Sequence, residues 1–204
     1  MKKIICLGLV LCGFFGFSQQ REKGAIEVAP IVGSAASNYF YYTNDKLSND
    51  PDPISSVNFG VNGDYYFNNR WSLRSGLLFQ RMGSEYDLTP LGGEMTKDKL
   101  DYLTLPANAN WHFGKTRKWN LNFGPSLGFL LSAKSNDRDI KKQLSSFQLG
   151  FNFGVGYKFE IKENIGILID YQGMGGLTGV TKEGADIKFG NVYSSFNLGC
   201  VIRL

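Results

Sequence analysis

SFQLGFNFGVGYKFEIKENIGILIDY, residues 146–171, decides the fold. Phe147, Leu149, Phe151, Phe153, Val155, Tyr157 and Phe159 alternate with Gln148, Gly150, Asn152, Gly154, Gly156, Lys158 and Glu160. A period of two over so long a run is a β-strand with one apolar face. After Lys162, Glu163 and Asn164 the alternation resumes with Ile165, Ile167, Ile169 and Tyr171 on one side and Gly166, Leu168 and Asp170 on the other, which makes a hairpin. Its polar face is built from Gly, Asn, Gln and a few charges, where a water-washed surface would be rich in Lys and Glu. That face therefore reads as crowded and enclosed, and the apolar face as the outside.

Working outward, the whole chain repeats this pattern. Strand candidates fall at 25–42, 56–67, 71–87, 100–113, 118–133, 146–160, 164–178 and 191–204, with no helical period between them. Short connections at 68–70, 114–117 and 161–163 alternate with long polar ones at 43–55, 88–99, 134–145 and 179–190. Short turns at one end and long loops at the other characterise barrels of the outer membrane. The fold class is all-β: an eight-stranded antiparallel up-and-down transmembrane β-barrel occupying 19–204.

Register gives an independent check, because residues opposed across an antiparallel hairpin share a side. Pairing Phe67 with Trp71 opposes Tyr65 to Leu73, Phe59 to Phe79 and Asp64 to Arg74. Pairing Phe113 with Trp119 opposes Trp111 to Leu121 and Asn110 to Asn122. Pairing Phe159 with Ile165 opposes Tyr157 to Ile167. One parity serves all three hairpins. The aromatic residues Trp71, Trp111, Trp119, Phe67, Phe113, Tyr157 and Phe159 then fall beside the short turns on the apolar face, a girdle at the level where hydrocarbon meets headgroups.

The last strand candidate carries Phe196, Leu198, Cys200, Ile202 and Leu204 on one face and runs to the final residue. Pairing it with the first closes the sheet and brings Glu27 beside Arg203 as an ion pair in the lumen; lipid cannot satisfy an open edge. Asp64, Arg74, Lys158, Glu160 and Asp170 join them inside. An eight-stranded barrel is only just wide enough for its own side chains, so these charges read as a packed, mutually neutralising network and not as a pore lining. Pro30, Pro106 and Pro125 remove ladder donors, and bulges are expected there.

The N-terminus has Lys2 and Lys3, fourteen apolar or Gly residues from 4 to 17, then Ser18, the pattern of a secretory signal peptide cleaved after Ser18. Cleavage leaves Cys200 as the single cysteine, so no intramolecular disulfide can form. Taking Lys2 and Lys3 from 22 basic residues leaves 20 against 18 acidic ones, a net charge of about +2, which is no field for nucleic acid. His112, the one histidine, sits near a short turn with Asn110 and Asn120 for company and no Ser or acid evident opposite, so no catalytic role is assigned to it. No cofactor or metal site is read: a lone His without a Cys cluster is a poor ligand set, and the glycines lack the strand-then-helix setting of a phosphate loop.

Two stretches, residues 102–106 (YLTLP) leading to Trp111 and Gly114, and residues 122–128 (NFGPSLG) leading to Lys134, together with the terminal Phe-x-Leu-Gly, resemble the PorT-like outer-membrane β-barrel family, also described as small OmpA- or OmpX-like barrels. The resemblance implies both termini in the periplasm and, in some relatives, assistance to export through the type IX secretion system. It points to a non-enzymatic envelope protein whose partners are outer-membrane lipid and other envelope or secretion-system proteins. Two other readings stay open: a soluble lipocalin-like barrel with an apolar ligand inside, which inverts the faces, and a lipid-modifying outer-membrane enzyme using His112.

Overall fold

A computed structural model describes residues 21–41, 51–87, 89, 92–182 and 189–204. The signal-peptide reading on 1–18 and much of the first long connection lie outside the described residues. The strands are β1 (Ile26–Tyr41), β2 (Asp52–Tyr66), β3 (Trp71–Met82), β4 (Ser84–Asp87), β5 (Met95–Phe113), β6 (Trp119–Ser135), β7 (Arg138–Asp139), β8 (Phe147–Lys162), β9 (Ile165–Gly176) and β10 (Phe189–Arg203). Eight long strands pair in the circular order β1-β2-β3-β5-β6-β8-β9-β10 and back to β1, every pairing antiparallel. The sheet is a closed eight-stranded barrel. The short strands lengthen it at the long-loop end, β4 against β2 and β5, and β7 against β6.

Alternation sorts the faces as the sequence pattern implies. Phe151 and Phe153 are 46% and 52% exposed on the outer wall, while Gln148 and Lys158 on the same strand are buried inside. A lipocalin-like barrel would have the opposite arrangement, so that reading falls.

Pairing at two of the three short turns matches the sequence register: Tyr65 opposes Leu73, Asp64 opposes Arg74, and Phe113 opposes Trp119. The third differs by two residues. Phe159 opposes Ile167 and Tyr157 opposes Ile169, with the register shifting between Glu160 and Lys162. An extra residue, Ile161, is accommodated there, and the turn narrows to Glu163 and Asn164. Because the slip is two residues, every side chain keeps its face.

The prolines also differ from expectation. None introduces a register shift: Pro30 stays opposite Val61, Pro106 opposite Ser126 and Pro125 opposite Phe151. The ladder instead drops its pairing beside each one and resumes in the same count, as between Val28↔Ile202 and Ile31↔Gly199. Losing one donor locally is tolerated when both flanks hold the register. The two shifts that do occur, at Asp101/Tyr102 and Glu160/Lys162, involve no proline.

The interior is divided along the axis. At the long-loop end an apolar cluster fills the lumen, with Tyr39, Met82, Leu100, Tyr102, Leu130 and Tyr193 among its members. Leu144 and Val180, from the connections beyond the strands, complete it, tied by the Leu144↔Thr181 bridge and a Ser145 N–H donating to the Val180 carbonyl at 2.8 Å. Toward the short turns the interior becomes amide-rich and then ionic, with a second, smaller apolar cluster of Ala29, Ile31, Leu78, Leu168 and Val201 beside the charges.

Between β3 and β4, Gly83 adopts φ +146° and exchanges two hydrogen bonds with Ser37, its N–H donating at 2.8 Å and its carbonyl accepting at 3.0 Å. A Cβ there would press on the Asp98 carbonyl oxygen. Gly83→Ala is expected to cost more than about 1 kcal/mol, read as a lower urea midpoint for the barrel refolded in lipid vesicles; an unchanged midpoint would mean that the β3–β4 junction yields freely.

Candidate functional site: a charge cluster closing the lumen

Alternation aims Glu27 of β1, Asp64 and Tyr66 of β2, Ser72 and Arg74 of β3, Asn110 and His112 of β5, Lys158 of β8 and Asp170 of β9 into the lumen near the short-turn end, where all are buried. Lys158 is the hub. Its ammonium donates to Glu27 Oε2 at 2.6 Å, Asp64 Oδ2 at 2.9 Å and the Tyr66 hydroxyl at 3.0 Å, using all three of its hydrogens. Arg74 forks onto Asp64 through Nε (3.2 Å) and Nη2 (3.0 Å) and reaches Asp170 through Nη1 at 3.1 Å. Tyr66 donates to Glu27 Oε2 at 2.8 Å.

Arg21, which precedes β1, folds under the base: Nε donates to Glu27 Oε1 at 2.7 Å, and Nη1 lies 3.4 Å from Glu160. Burial pushes a guanidinium toward losing its proton, but Tyr66, Glu27 and Glu160 outweigh that and hold Arg21 above its ordinary value. Arg203 comes within 3.5 Å of Glu27 through Nη2, directly opposite in register, as a weaker contact than those of Arg21 and Lys158. Arg21, Lys158 and Arg74 thus face Glu27, Asp64 and Asp170 in a connected, charge-balanced set.

Above this set, Asn108 donates to Asn122 at 2.8 Å, Asn58 to Asn197 at 2.8 Å, and Asn197 to Asp170 at 2.9 Å. A void of about 20 Å³ among Asn58, Asn62, Arg74 and Asn197, and another of about 20 Å³ beside Arg21 and Glu160, each have room for about one water.

His112 differs from its sequence reading. The β3–β5 pairing sets Ser72 beside Asn110, and Ser72 Oγ lies 2.9 Å from His112 Nε2 and donates to Asp64 Oδ1 at 3.2 Å. Ser and acid are therefore both at hand. A hydroxyl has one hydrogen; with it on Asp64, Ser72 accepts the Nε2–H, leaving Nδ1 bare. The carboxylate contacts the hydroxyl where a nucleophilic triad would have it contact the imidazole. The ring also stacks on Tyr66, centroids 4.8 Å apart at 29°. All four side chains are buried under the Arg21 end of the lumen.

On the outer wall the aromatic residues meet in sequence around the short-turn end. Trp71–Trp111 (6.3 Å), Trp111–Phe113 (5.0 Å), Phe113–Trp119 (6.2 Å), Trp119–Tyr157 (4.9 Å) and Tyr157–Phe159 (4.6 Å) run from β3 across β5 and β6 to β8. Phe67 stands against Tyr65 at 5.6 Å on β2.

Sequence reasoning missed Arg21, Tyr66 and Ser72. Arg21 lies outside every alternating run and carries no signal. Tyr66 and Ser72 follow from inward parity, and aligning Trp71 with Trp111 in one girdle would have brought Ser72 to the histidine.

Solved structures share this architecture. The chain is similar to the Neisserial surface protein A, NspA, at 15% identity and a TM-score of 0.53, covering 89% of this chain and 99% of that one. It is also similar to the outer membrane protein OprG of Pseudomonas aeruginosa at 10% identity and a TM-score of 0.55, covering 91% and 98%. No curated protein matches. The model of the outer membrane protein beta-barrel domain matches residues 17–182, most of the chain. With the closed barrel, the outward apolar wall and that match, the chain belongs to the outer membrane protein beta-barrel domain family, and its place is the outer membrane.

Proposed function

We propose that the protein is a non-enzymatic outer-membrane scaffold that works through its long-loop end on other envelope or secretion-system proteins, a PorT-like export accessory being the finer form of that role. It reaches the membrane by way of a signal peptide on 1–18, and its girdle of Trp71, Trp111, Trp119, Phe67, Phe113, Tyr157 and Phe159 sets its depth in the lipid. The pairs Glu27–Arg203 and Asp64–Arg74 belong to the network that holds the lumen shut. The observation that carries this reading is the use of every Lys158 hydrogen inside a closely packed lumen of paired charges. Solute passage and chemistry on His112 both need open space that the packed side chains occupy, which leaves the loop end as the working surface.

Two measurements test it. Photo-crosslinkers at Glu94 and Asp137, both exposed beyond the apolar wall, are expected to capture envelope proteins in cells; a barrel that crosslinks to nothing would count against a scaffold. His112→Ala is expected to leave the lipid species of the outer membrane unchanged by mass spectrometry. Disappearance of one lipid species in that variant, with the barrel still folded, would make the protein an enzyme.

A further inference from the structure

The charged residues of the outer wall are unevenly spread. At the long-loop end of β8, β9 and β10 the outer wall shows the exposed apolar side chains Phe147, Leu177, just past β9, and Val192. On the adjoining wall, where β6 pairs with β8, the long-loop ends of β5 and β6 carry Lys99 and Lys134, exposed and directly opposite one another in register. Like charges facing across a ladder repel. Neither ammonium has a carboxylate within 4 Å among the described residues. Their neighbours Asp101 and Glu85 are engaged elsewhere: Asp101 is forked by Arg81 at 2.6 and 3.2 Å, and Glu85 is paired to Lys97 at 3.0 Å. Asp139, beside Lys134 in β7, accepts from the Lys141 backbone N–H at 2.9 Å.

A third cation is held at the same place. The register shift at Asp101/Tyr102 leaves Leu131 as the extra residue of β6, and Lys141 folds back so that its ammonium donates to the Leu131 carbonyl at 2.8 Å. The height is that of a headgroup layer. From Trp111 in the girdle to Lys99 the strand climbs about 30 Å at about 3.3 Å per residue and about 40° of tilt. That is the thickness of a bilayer's hydrocarbon core, and Leu105, Leu127 and Phe129, exposed on the same two strands, cover the interval.

We propose that Lys99, Lys134 and Lys141 form a site for the phosphate of an outer-leaflet glycolipid headgroup. A phosphate set between Lys99 and Lys134 converts their mutual repulsion into two attractions, with Lys141 as the third donor; Arg81, held on Asp101, flanks the site. The assignment goes beyond the scaffold role and rests only on the membrane placement of the barrel.

The test uses the refolded full-length barrel in detergent, incubated with diphosphoryl lipid A or with the same glycolipid stripped of its phosphates, and counts bound lipid by native mass spectrometry. The parent protein should retain the phosphorylated form and release the stripped one. Lys99→Gln with Lys134→Gln should weaken retention roughly thirtyfold, given the contribution of each base near an anionic lipid surface. Lys115→Gln with Arg117→Gln, at the opposite end of the barrel, should change nothing. Equal retention of both lipids, or undiminished retention by the Lys99/Lys134 variant, would overturn the site. If the double variant loses its heat-modifiable gel shift, Lys134→Gln alone is compared under the same criteria. Absence of that shift in the parent would be a separate failure, of the membrane placement itself.

Discussion

Replacing Lys158 with methionine is expected to cost the barrel about 3 to 5 kcal/mol, the range for breaking a buried ion pair by removing one partner. Methionine nearly matches the lysine stem in volume, so packing changes little. What changes is the state of Glu27 and Asp64, which lose the ammonium at 2.6 and 2.9 Å while remaining buried in the lumen. The measurement is a urea titration of the refolded protein in lipid vesicles, read from the mobility of unheated samples on a gel. Adding Glu27→Gln and Asp64→Asn to the variant should recover part of the loss, because a lumen without stranded charge is less costly than one with two. Arg203→Met makes the comparison: its contact with Glu27 is 3.5 Å and its side chain is partly exposed, so a smaller loss is expected. A Lys158→Met barrel within about 1 kcal/mol of the parent would mean that the acids are reached by water or protonated, and the network would no longer account for the closed lumen.

Phe151→Arg is expected to cost about 2 to 4 kcal/mol, the penalty for a cation on the lipid face near the midplane of a transmembrane barrel. Phe151 stands outward on β8 between the girdle residue Tyr157 and the long-loop end at Phe147, 46% exposed. The same substitution at Tyr157 should cost only about 0 to 1 kcal/mol, since the headgroup boundary accepts charge. The contrast within one strand separates a lipid effect from a general intolerance of arginine. Equal costs at both positions would mean that the wall does not face hydrocarbon.

Much of this architecture was legible because a barrel writes its inside and outside into a period of two. Asp64 opposite Arg74 and Glu27 opposite Arg203 both follow from parity plus closure, and both appear in the register. Parity is insensitive to slips of two, which is why the turn after β8 was read as Phe159 opposite Ile165 when Phe159 opposes Ile167. The prolines were over-read: a missing donor predicts a missing hydrogen bond, but a bulge needs an extra residue, and Pro30, Pro106 and Pro125 bring none. The partners of His112 were missed because Ser72 reaches it through the β3–β5 pairing across a long loop, where no turn fixes the register in advance. Arg21 had no pattern to betray it, and its place is visible only once Glu27, Tyr66 and Glu160 are assembled in space.

The spacing of the lumen contacts along the chain also sets an order in time. Asp64 meets Arg74 within a single hairpin, 10 residues apart, so that pair can form as soon as β2 and β3 join. Glu27 waits for Lys158 across 131 residues, and Arg74 waits for Asp170 across 96. Glu27 has Arg21 six residues away and Asp64 has Arg74, but until the later strands arrive these pairs lack Lys158 and Asp170 and lie on an open, charged face, and a bilayer resists such a surface. Insertion and closure are thereby coupled: a chain truncated before β8 would lack Lys158, Asp170 and the β10 strand that pairs with β1, and would offer lipid an open edge together with its early charges.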